Sequence, residues 1–178
     1  MALKATVHKA EVAISDMDRG YYHTHLLTLA QHPSETLERL MLRLVVFVLH
    51  ASEQLLFTRG LSADDEPELW QKNYTGDIEL WIELGEPDER RLRQACGRAD
   101  QVWLYSYGRG SNVWWQGIQN KITRLKNLRI LHIAPATLSE LAKLHNRSMQ
   151  LQATVEDNQL WLSNGDQCVL VETTNLYP

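Results

Sequence analysis

The order of hydrophobic and polar residues divides the chain into strands and helices. Alternation with a period of two residues predicts strands, and apolar residues that recur every three to four positions predict helices. The predicted strands cover residues 3–15, 21–29, 55–58, 77–84, 102–107, 128–133, 149–155, 159–163 and 168–172, and residues 69–74 are a further candidate strand. The predicted helices cover residues 34–50, 88–97, 111–125 and 137–145. This order predicts an α/β (α+β) fold with a mixed sheet.

The helix over residues 34–50 has the widest apolar stripe of the four and is therefore expected to be the most buried. Ser34 is the predicted N-cap, with Glu35 and Glu38 in the first turn, where a negative charge interacts favourably with the helix dipole.

Both ends of the chain are expected to contribute to one sheet. Residues 3–7 and 151–155 share the pattern L-x-A-T-V, and each segment lies in a predicted hairpin. The pattern predicts one antiparallel layer built from both termini. No linker-like or low-complexity stretch interrupts the chain, so residues 1–178 are predicted to form a single domain.

The strand at 77–84 alternates without a fault. One face carries Ile78, Leu80, Ile82 and Leu84, and the other carries Asp77, Glu79, Trp81 and Glu83. Carboxylates two residues apart on one face lie about 6.5–7 Å apart along the strand. Such a face is either the solvated side of an ordinary sheet or a cluster of acids, and the large aromatic Trp81 favours the second interpretation.

A hairpin would place a second acid opposite this strand. If residues 69–74 form a strand and Thr75-Gly76 is a two-residue turn, the cross-strand partners are Trp70 with Trp81, Lys72 with Glu79, and Glu68 with Glu83. Two glutamates in direct opposition destabilise a sheet unless a cation or a proton lies between them. The alternative is a short helix with Pro67 at its first position.

Two resemblances follow from these residues. Pro67-Glu68, followed after fourteen intervening residues by Glu83-Leu84-Gly85, resembles a variant of the PD-(D/E)XK signature of restriction-endonuclease-like nucleases. More closely, the chain resembles the bacterial YaeQ family between about residues 3 and 163. The segments that carry this likeness are residues 32–36, 57–61, 64–68, 80–85 and 151–154.

The resemblance to the PD-(D/E)XK signature implies a restriction-endonuclease-like core over residues 34–107. It also implies a nuclease that acts on phosphodiesters, in which Glu68 and Glu83 hold Mg²⁺ or Mn²⁺ and Glu38 or Asp77 assists. Such nucleases need a lysine to stabilise developing charge, but Gly85 stands at that position. Lys72 or Lys121 could replace it. The alternative is a catalytically reduced nuclease fold that binds nucleic acid or a protein partner.

The charge distribution suits a polyanion. The chain carries a net charge of −4, but residues 89–130 contain nine bases and two acids, which gives this segment +7 and the remainder −11. A basic stretch after an acidic strand could bind nucleic acid beside a cation. The alternative is two solvated faces of opposite sign.

A glycine-rich turn at residues 107–112 is a candidate anion site. It lies between a predicted strand and a predicted helix, so free backbone N–H groups at the helix start, with Arg109 and Ser111, suit a phosphate. Lys121, further along the same basic segment, is the third candidate residue for binding nucleic acid or another anion. A plain glycine turn capped by Ser111 is the alternative.

Membrane insertion and secretion are not expected. The longest apolar run is residues 44–49, far shorter than the roughly 20 residues of a membrane span. The first residues lack the basic and apolar regions of a signal peptide. Cys96 and Cys168 have no partner spacing for a zinc or redox site, which fits a reducing compartment and predicts the cytoplasm.

Overall fold

A computed structural model describes residues 4–60 and 64–178. The strands are β1 Thr6–Asp16, β2 Tyr21–Gln31, β3 Leu55–Phe57, β4 Leu69–Lys72, β5 Ile78–Leu84, β6 Ala99–Tyr107, β7 Leu128–Ile133, β8 Ser148–Glu156, β9 Gln159–Ser163, β10 Cys168–Val171 and β11 Thr174–Tyr177. The helices are α1 Leu37–Leu49, α2 Glu89–Arg98, α3 Ser111–Ile118 and α4 Pro135–Ala142. A 3₁₀-helix, Gln119–Lys121, follows α3 where the sequence predicted a longer α-helix.

These elements form two compact units. The first comprises Met1–Ala51 and Ala136–Thr173, and the second comprises Ser52–Pro135 and Thr174–Pro178. Each unit contains one mixed sheet, so the predicted mixed α+β class is confirmed. The single domain stays a prediction.

The sheet of the first unit has the strand order β10-β9-β8-β1-β2. The segments near the two termini do share this sheet, as predicted. However, β1 and β8 run parallel, with Lys9 opposite Ser148, so the layer is mixed and the prediction of an antiparallel layer is wrong. Parallel neighbours need a long connection, which the intervening chain supplies. The first residue of the L-x-A-T-V segment at 3–7 lies outside the described residues.

Helix α1 is the most buried of the four described helices, as predicted. All ten residues from Arg39 to Val48 are buried. Its N-cap is Thr36 and not Ser34, because the Thr36 hydroxyl accepts a hydrogen bond from the backbone N–H of Arg39. The helix therefore starts two residues later than expected.

The sheet of the second unit has the order β11-β7-β6-β5-β4-β3. Strands β5, β6 and β7 are parallel, and α2 and α3 provide the connections between them. The core of this unit gathers apolar side chains from these strands and helices, among them Trp81, Leu92, Val102, Ile118 and Ile130.

The order expected for the nuclease-type core is present along the chain. Residues 34–107 contain α1, β3, β4, β5, α2 and β6 in that sequence. Helix α1, however, belongs to the first unit, while the other five elements belong to the second. The restriction-endonuclease-like core therefore stays a prediction.

Candidate functional site

Strands β4 and β5 form the predicted antiparallel hairpin. Its register pairs Leu69 with Ile82, Trp70 with Trp81 and Gln71 with Leu80. The indole rings of Trp70 and Trp81 meet edge to face, with centroids 6.4 Å apart. The hairpin is confirmed over these three pairs, and the alternative of a helix starting at Pro67 is wrong.

The register shifts at the next pair. Lys72 lies opposite Ile78 and not opposite Glu79, because a bulge follows Gln71. Glu79 instead accepts a hydrogen bond from the Gln71 amide at 2.8 Å. The Lys72 ammonium lies 3.9 Å from the centroid of the Trp70 ring, a cation–π contact. The predicted Lys72–Glu79 pair is therefore wrong.

Asp77 belongs to the turn and not to the strand. The turn extends from Asn73 to Asp77, with the Asn73 amide N–H donating to the Asp77 carboxylate and the Thr75 hydroxyl donating to the same group at 2.8 Å. The hydrogen bonds from Thr75 and Asn73 lower the pKa of Asp77. Glu83 lies six positions further along the chain, which is about 20 Å along a strand. Asp77 is therefore not positioned to assist Glu83.

The Glu83 carboxylate is buried and fully engaged at one oxygen. Its Oε1 atom accepts hydrogen bonds from the Trp81 indole at 2.8 Å and from Arg91 Nε at 3.0 Å, and Arg91 Nη2 lies 2.9 Å away. Burial raises the pKa of Glu83 in spite of the Arg91 guanidinium, which lowers it. The positive charge beside Glu83 thus comes from Arg91 of α2.

Glu68 is also buried and lies close to Glu83. Its backbone N–H donates to the carbonyl of Ile82 at 2.9 Å, which continues the hairpin one residue beyond the ladder. The negative charge of Glu68 contributes to the raised pKa of Glu83. Gly60 packs against the Glu68 carboxylate, because a Cβ on Gly60 would lie only 2.9 Å from Oε2. The structure therefore brings the two predicted metal ligands together.

The expected catalytic lysine has no equivalent on β5. Gly85 follows this strand with φ of 109°, a conformation that strains any residue with a side chain, and its N–H donates to the carbonyl of Tyr105. Lys72 lies over Trp70, and Lys121 is exposed at the end of the 3₁₀-helix. Neither makes a described contact with Glu83.

The acid buried beside α1 is Glu35, which precedes the Thr36 N-cap, and not Glu38. Glu38 is half-buried in the first turn of α1, in the first unit, whereas Glu68 and Glu83 belong to the second. Glu35 accepts from Arg43 Nε at 2.9 Å and from Arg43 Nη2 at 3.2 Å. Glu35 was predicted to lie in the first turn of the helix, but it precedes the helix because the N-cap is Thr36.

The acids of the hairpin do not fit a resident metal ion as they are arranged. Among residues 4–60 and 64–178, no group of three or more His, Cys, Asp or Glu side chains could hold one. A cation bound at Oε1 of Glu83 would lie beside the Arg91 guanidinium, and like charges repel at this range. The donor set thus matches an internal ion pair.

The predicted anion turn already contains a carboxylate. The Ser111 hydroxyl, buried at the start of α3, donates to Oε1 of Glu86 at 2.8 Å. A Cβ on Gly108 would lie 3.6 Å from the same oxygen. Glu86 therefore stands where a phosphate was expected and would repel one. Arg109 is exposed, and Lys121 ends the 3₁₀-helix that follows α3, about 15 Å from Ser111 along the helix axis.

Two arginines of α2 were missed as site residues. Arg91 donates to the backbone carbonyls of Asp64 and Glu66, the latter at 2.8 Å, and Arg98 donates to that of Asp65 at 2.8 Å. A signal was present, because a helix that connects two parallel strands begins near the carboxyl end of the first, where Glu83 lies. An arginine in the first turn can reach it.

The family model described as "YaeQ protein" matches residues 1–173. The chain belongs to the YaeQ family. Curated relatives named "Uncharacterized protein YaeQ" from Salmonella typhi and from Escherichia coli strain K12 are each 47% identical over 175 residues, which covers 98% of this chain and 97% of the relative. The predicted resemblance to the YaeQ family is confirmed, and the resemblance to the PD-(D/E)XK signature stays a prediction.

Solved structures of the YaeQ family share the fold. The crystal structure of the YaeQ protein from Xanthomonas axonopodis pv. citri has a TM-score of 0.93 and 45% identity, and it covers 96% of this chain and 97% of its own. That of the YaeQ protein from Pseudomonas syringae has a TM-score of 0.94 and 34% identity, with 98% and 97% covered. In the described part of this chain, every helix is too short or too polar to cross a membrane.

Proposed function

We propose that this YaeQ-family chain binds nucleic acid through a basic surface on its second unit. The surface is formed by exposed side chains of α2, of the 3₁₀-helix and of the turn that follows: Arg90, Arg93, Lys121, Arg124 and Lys126. The observation that carries the proposal is the contact between Arg93 Nη2 and the carbonyl of Lys121 at 3.3 Å. Because of this contact, two basic residues that are 28 positions apart in the sequence lie next to each other in the structure.

The charge balance supports a polyanionic ligand. The surface lies within the +7 segment of a chain whose net charge is −4, so the positive charge is concentrated while the chain as a whole is acidic. Glu89 forms an ion pair with Arg93 at 2.5 Å and is the acid nearest to this surface among the described ion pairs. Clustered guanidinium and ammonium groups are the usual electrostatic footprint of a nucleic-acid-binding face.

The hairpin acids favour binding over cleavage. Arg91 supplies the positive charge that Glu83 needs, and Gly85 offers no ammonium to stabilise developing charge. In other enzymes, removal of one such donor lowers the reaction rate by roughly 10²- to 10³-fold. The proposal is therefore a nucleic-acid-binding protein whose acids stabilise its own hairpin.

The salt dependence of binding tests the proposal. Arg93→Ala and Lys121→Ala are each expected to weaken binding to an oligonucleotide and to reduce the slope of log K against log salt by roughly 0.7–0.9, because each removes one phosphate contact. Fluorescence anisotropy at several salt concentrations measures both quantities. Arg147→Ala is the control, since Arg147 is an exposed arginine of the first unit. Equal slopes in all four proteins would contradict the proposal.

A Mg²⁺-dependent nuclease is the second candidate, because Glu68 and Glu83 are buried together. With Arg91 on Glu83, we expect millimolar Mg²⁺ or Mn²⁺ to raise the melting temperature by less than about 1 °C. Differential scanning fluorimetry with and without EDTA measures this. A larger rise that Glu83→Gln abolishes, together with metal-dependent cleavage that Glu83→Gln also abolishes, would favour the nuclease. Cleavage equal in both proteins would identify a contaminant.

A further inference from the structure

Three large side chains form a row across the edge of the second unit's sheet. Leu56 of β3 lies opposite Trp70 of β4, which lies opposite Trp81 of β5. Directly opposed residues project from the same face of a sheet. Their exposure falls along the row, from 60% at Leu56 through a half-buried Trp70 to 2% at Trp81. The row therefore leads from solvent into the core beside α2.

A cavity of about 480 Å³ opens at the exposed end of this row. Leu56, Trp70, Lys72 and Tyr74 line it, together with the acids Glu53 and Glu79 and three side-chain amides. Tyr74 is fully exposed at the tip of the turn that Asn73 holds with its hydrogen bonds. A half-buried indole, an exposed phenol and one ammonium are the groups that bind a nucleobase and its phosphate.

A second cavity, of about 550 Å³, lies at the buried end of the row. Trp81, Arg93 and Arg98 line it, and the Arg98 guanidinium lies 5.0 Å from the centroid of the Trp81 ring. Asp64 and Asp65 line it too, and Asp65 lies 3.9 Å from Arg59, which offsets part of its charge. This cavity thus offers guanidinium groups to a phosphate.

Trp70 lines one cavity and Trp81 the other, and because their ring centroids are 6.4 Å apart the two cavities are neighbours on one face of the sheet. The tryptophan groove is defined here by Leu56, Trp70, Tyr74, Trp81, Arg93 and Arg98. Arg93 also belongs to the basic surface, so the groove continues that surface. The tryptophan groove contains both aromatic rings and positively charged side chains. A nucleobase can stack on these rings only if its own face is not covered by a neighbouring base.

We infer that the tryptophan groove binds unpaired, single-stranded nucleic acid, with a base against Tyr74 and Trp70 and the backbone on Arg93 and Arg98. The inference rests on the proposed function and adds the class of nucleic acid. Bases of a duplex are stacked on one another and cannot use an aromatic platform, whereas every unpaired base has a free π-face. Duplex is therefore the weaker ligand.

The test compares one labelled oligothymidylate alone and annealed to its complement. Tyr74→Ala is the informative variant because the side chain is fully exposed, and Tyr22→Ala, an exposed tyrosine of the first unit, is its matched control. We expect the wild type to prefer the single strand. Tyr74→Ala should weaken single-strand binding about 5- to 100-fold, leave duplex binding unchanged and leave the salt slope unchanged.

The other outcomes separate the two proposals. If Tyr74→Ala weakens neither ligand or both equally, or if the wild type prefers duplex, the tryptophan groove is not a single-strand site. The basic surface would still stand if Arg93→Ala and Lys121→Ala reduce the salt slope. If the wild type binds neither ligand, both proposals are wrong. Tyr22→Ala should match the wild type, and a loss there would assign the effect to the first unit.

Discussion

Replacing Arg43 by methionine is expected to lower the free energy of unfolding by about 3–5 kcal/mol, because it leaves a buried carboxylate without its main partner. The Arg43 and Glu35 side chains are only 5% and 3% exposed. Arg43 also donates to the carbonyl of Ala30 at 2.9 Å, so the change breaks two kinds of contact. Urea denaturation followed by circular dichroism measures the loss.

Two comparison variants make this result specific. Arg147→Met changes an exposed arginine of the same unit in the same way and should stay within about 0.5 kcal/mol of the wild type. The double variant Arg43→Met/Glu35→Gln removes the unpaired charge and should recover part of the loss. A cost below about 1 kcal/mol for Arg43→Met would mean that Arg39, whose Nη1 lies 3.8 Å from Glu35, compensates alone.

Replacing Arg91 by alanine is expected to cost about 2–3 kcal/mol at neutral pH, since it removes the charge and the hydrogen bonds that stabilise Glu83. The cost should depend on pH. Burial already raises the pKa of Glu83, and without Arg91 it rises further. When the pKa of a carboxyl group is higher in the folded than in the unfolded protein, the folded protein loses stability as the pH rises. The loss begins at the pKa of the unfolded state and is complete above that of the folded state. The variant should therefore melt closest to the wild type near pH 4.5 and furthest below it at pH 7.

Thermal melts at several pH values test this dependence. Arg90→Ala is the matched control, because Arg90 is the exposed neighbour on the same helix. It should show neither the loss nor the pH dependence. A loss in Arg91→Ala that is constant between pH 4.5 and 7 would mean that the backbone contacts of Arg91 to Asp64 and Glu66, and not its charge beside Glu83, explain its effect.

The parts of the hairpin set by side-chain alternation were predictable from sequence. The two-residue period puts Trp70 and Trp81 on one face, and only one register brings two such large rings together. The burial of α1 was predictable for a similar reason, since its apolar stripe covers almost the whole circumference. In both cases a pattern over many residues specifies the structure.

Features decided by a few local hydrogen bonds were not predictable. The Asn73 side chain accepts from the N–H groups of Thr75 and Asp77, which makes the turn longer than the Thr75-Gly76 sequence suggested and shifts Lys72 out of register. Likewise, Glu86 reaches Ser111 from 25 positions away, and no periodicity reports that contact. The sequence therefore did not reveal that Glu86 lies in the predicted anion turn, and the anion site itself stays a prediction.

The acids and their partner illustrate the same division. The proximity of Glu68 and Glu83 follows from the hairpin register, so the sequence could predict it. The sequence could not predict in the same way that Arg91 is the basic residue beside Glu83. That contact depends on how α2 packs against β5 and β6, and nine bases in the segment made several candidates equivalent.

The parallel pairing of β1 with β8 has a consequence for synthesis on the ribosome. Lys9 pairs with Ser148, so β1 must wait for a strand made 139 positions later. At 5–20 residues per second this delay is about 7–28 s. Ser52–Pro135, which is the second unit without its last strand β11, leaves the ribosome in the meantime. The nascent β1–β2 hairpin keeps one edge of β1 open throughout, and an unpaired strand edge can pair with another chain.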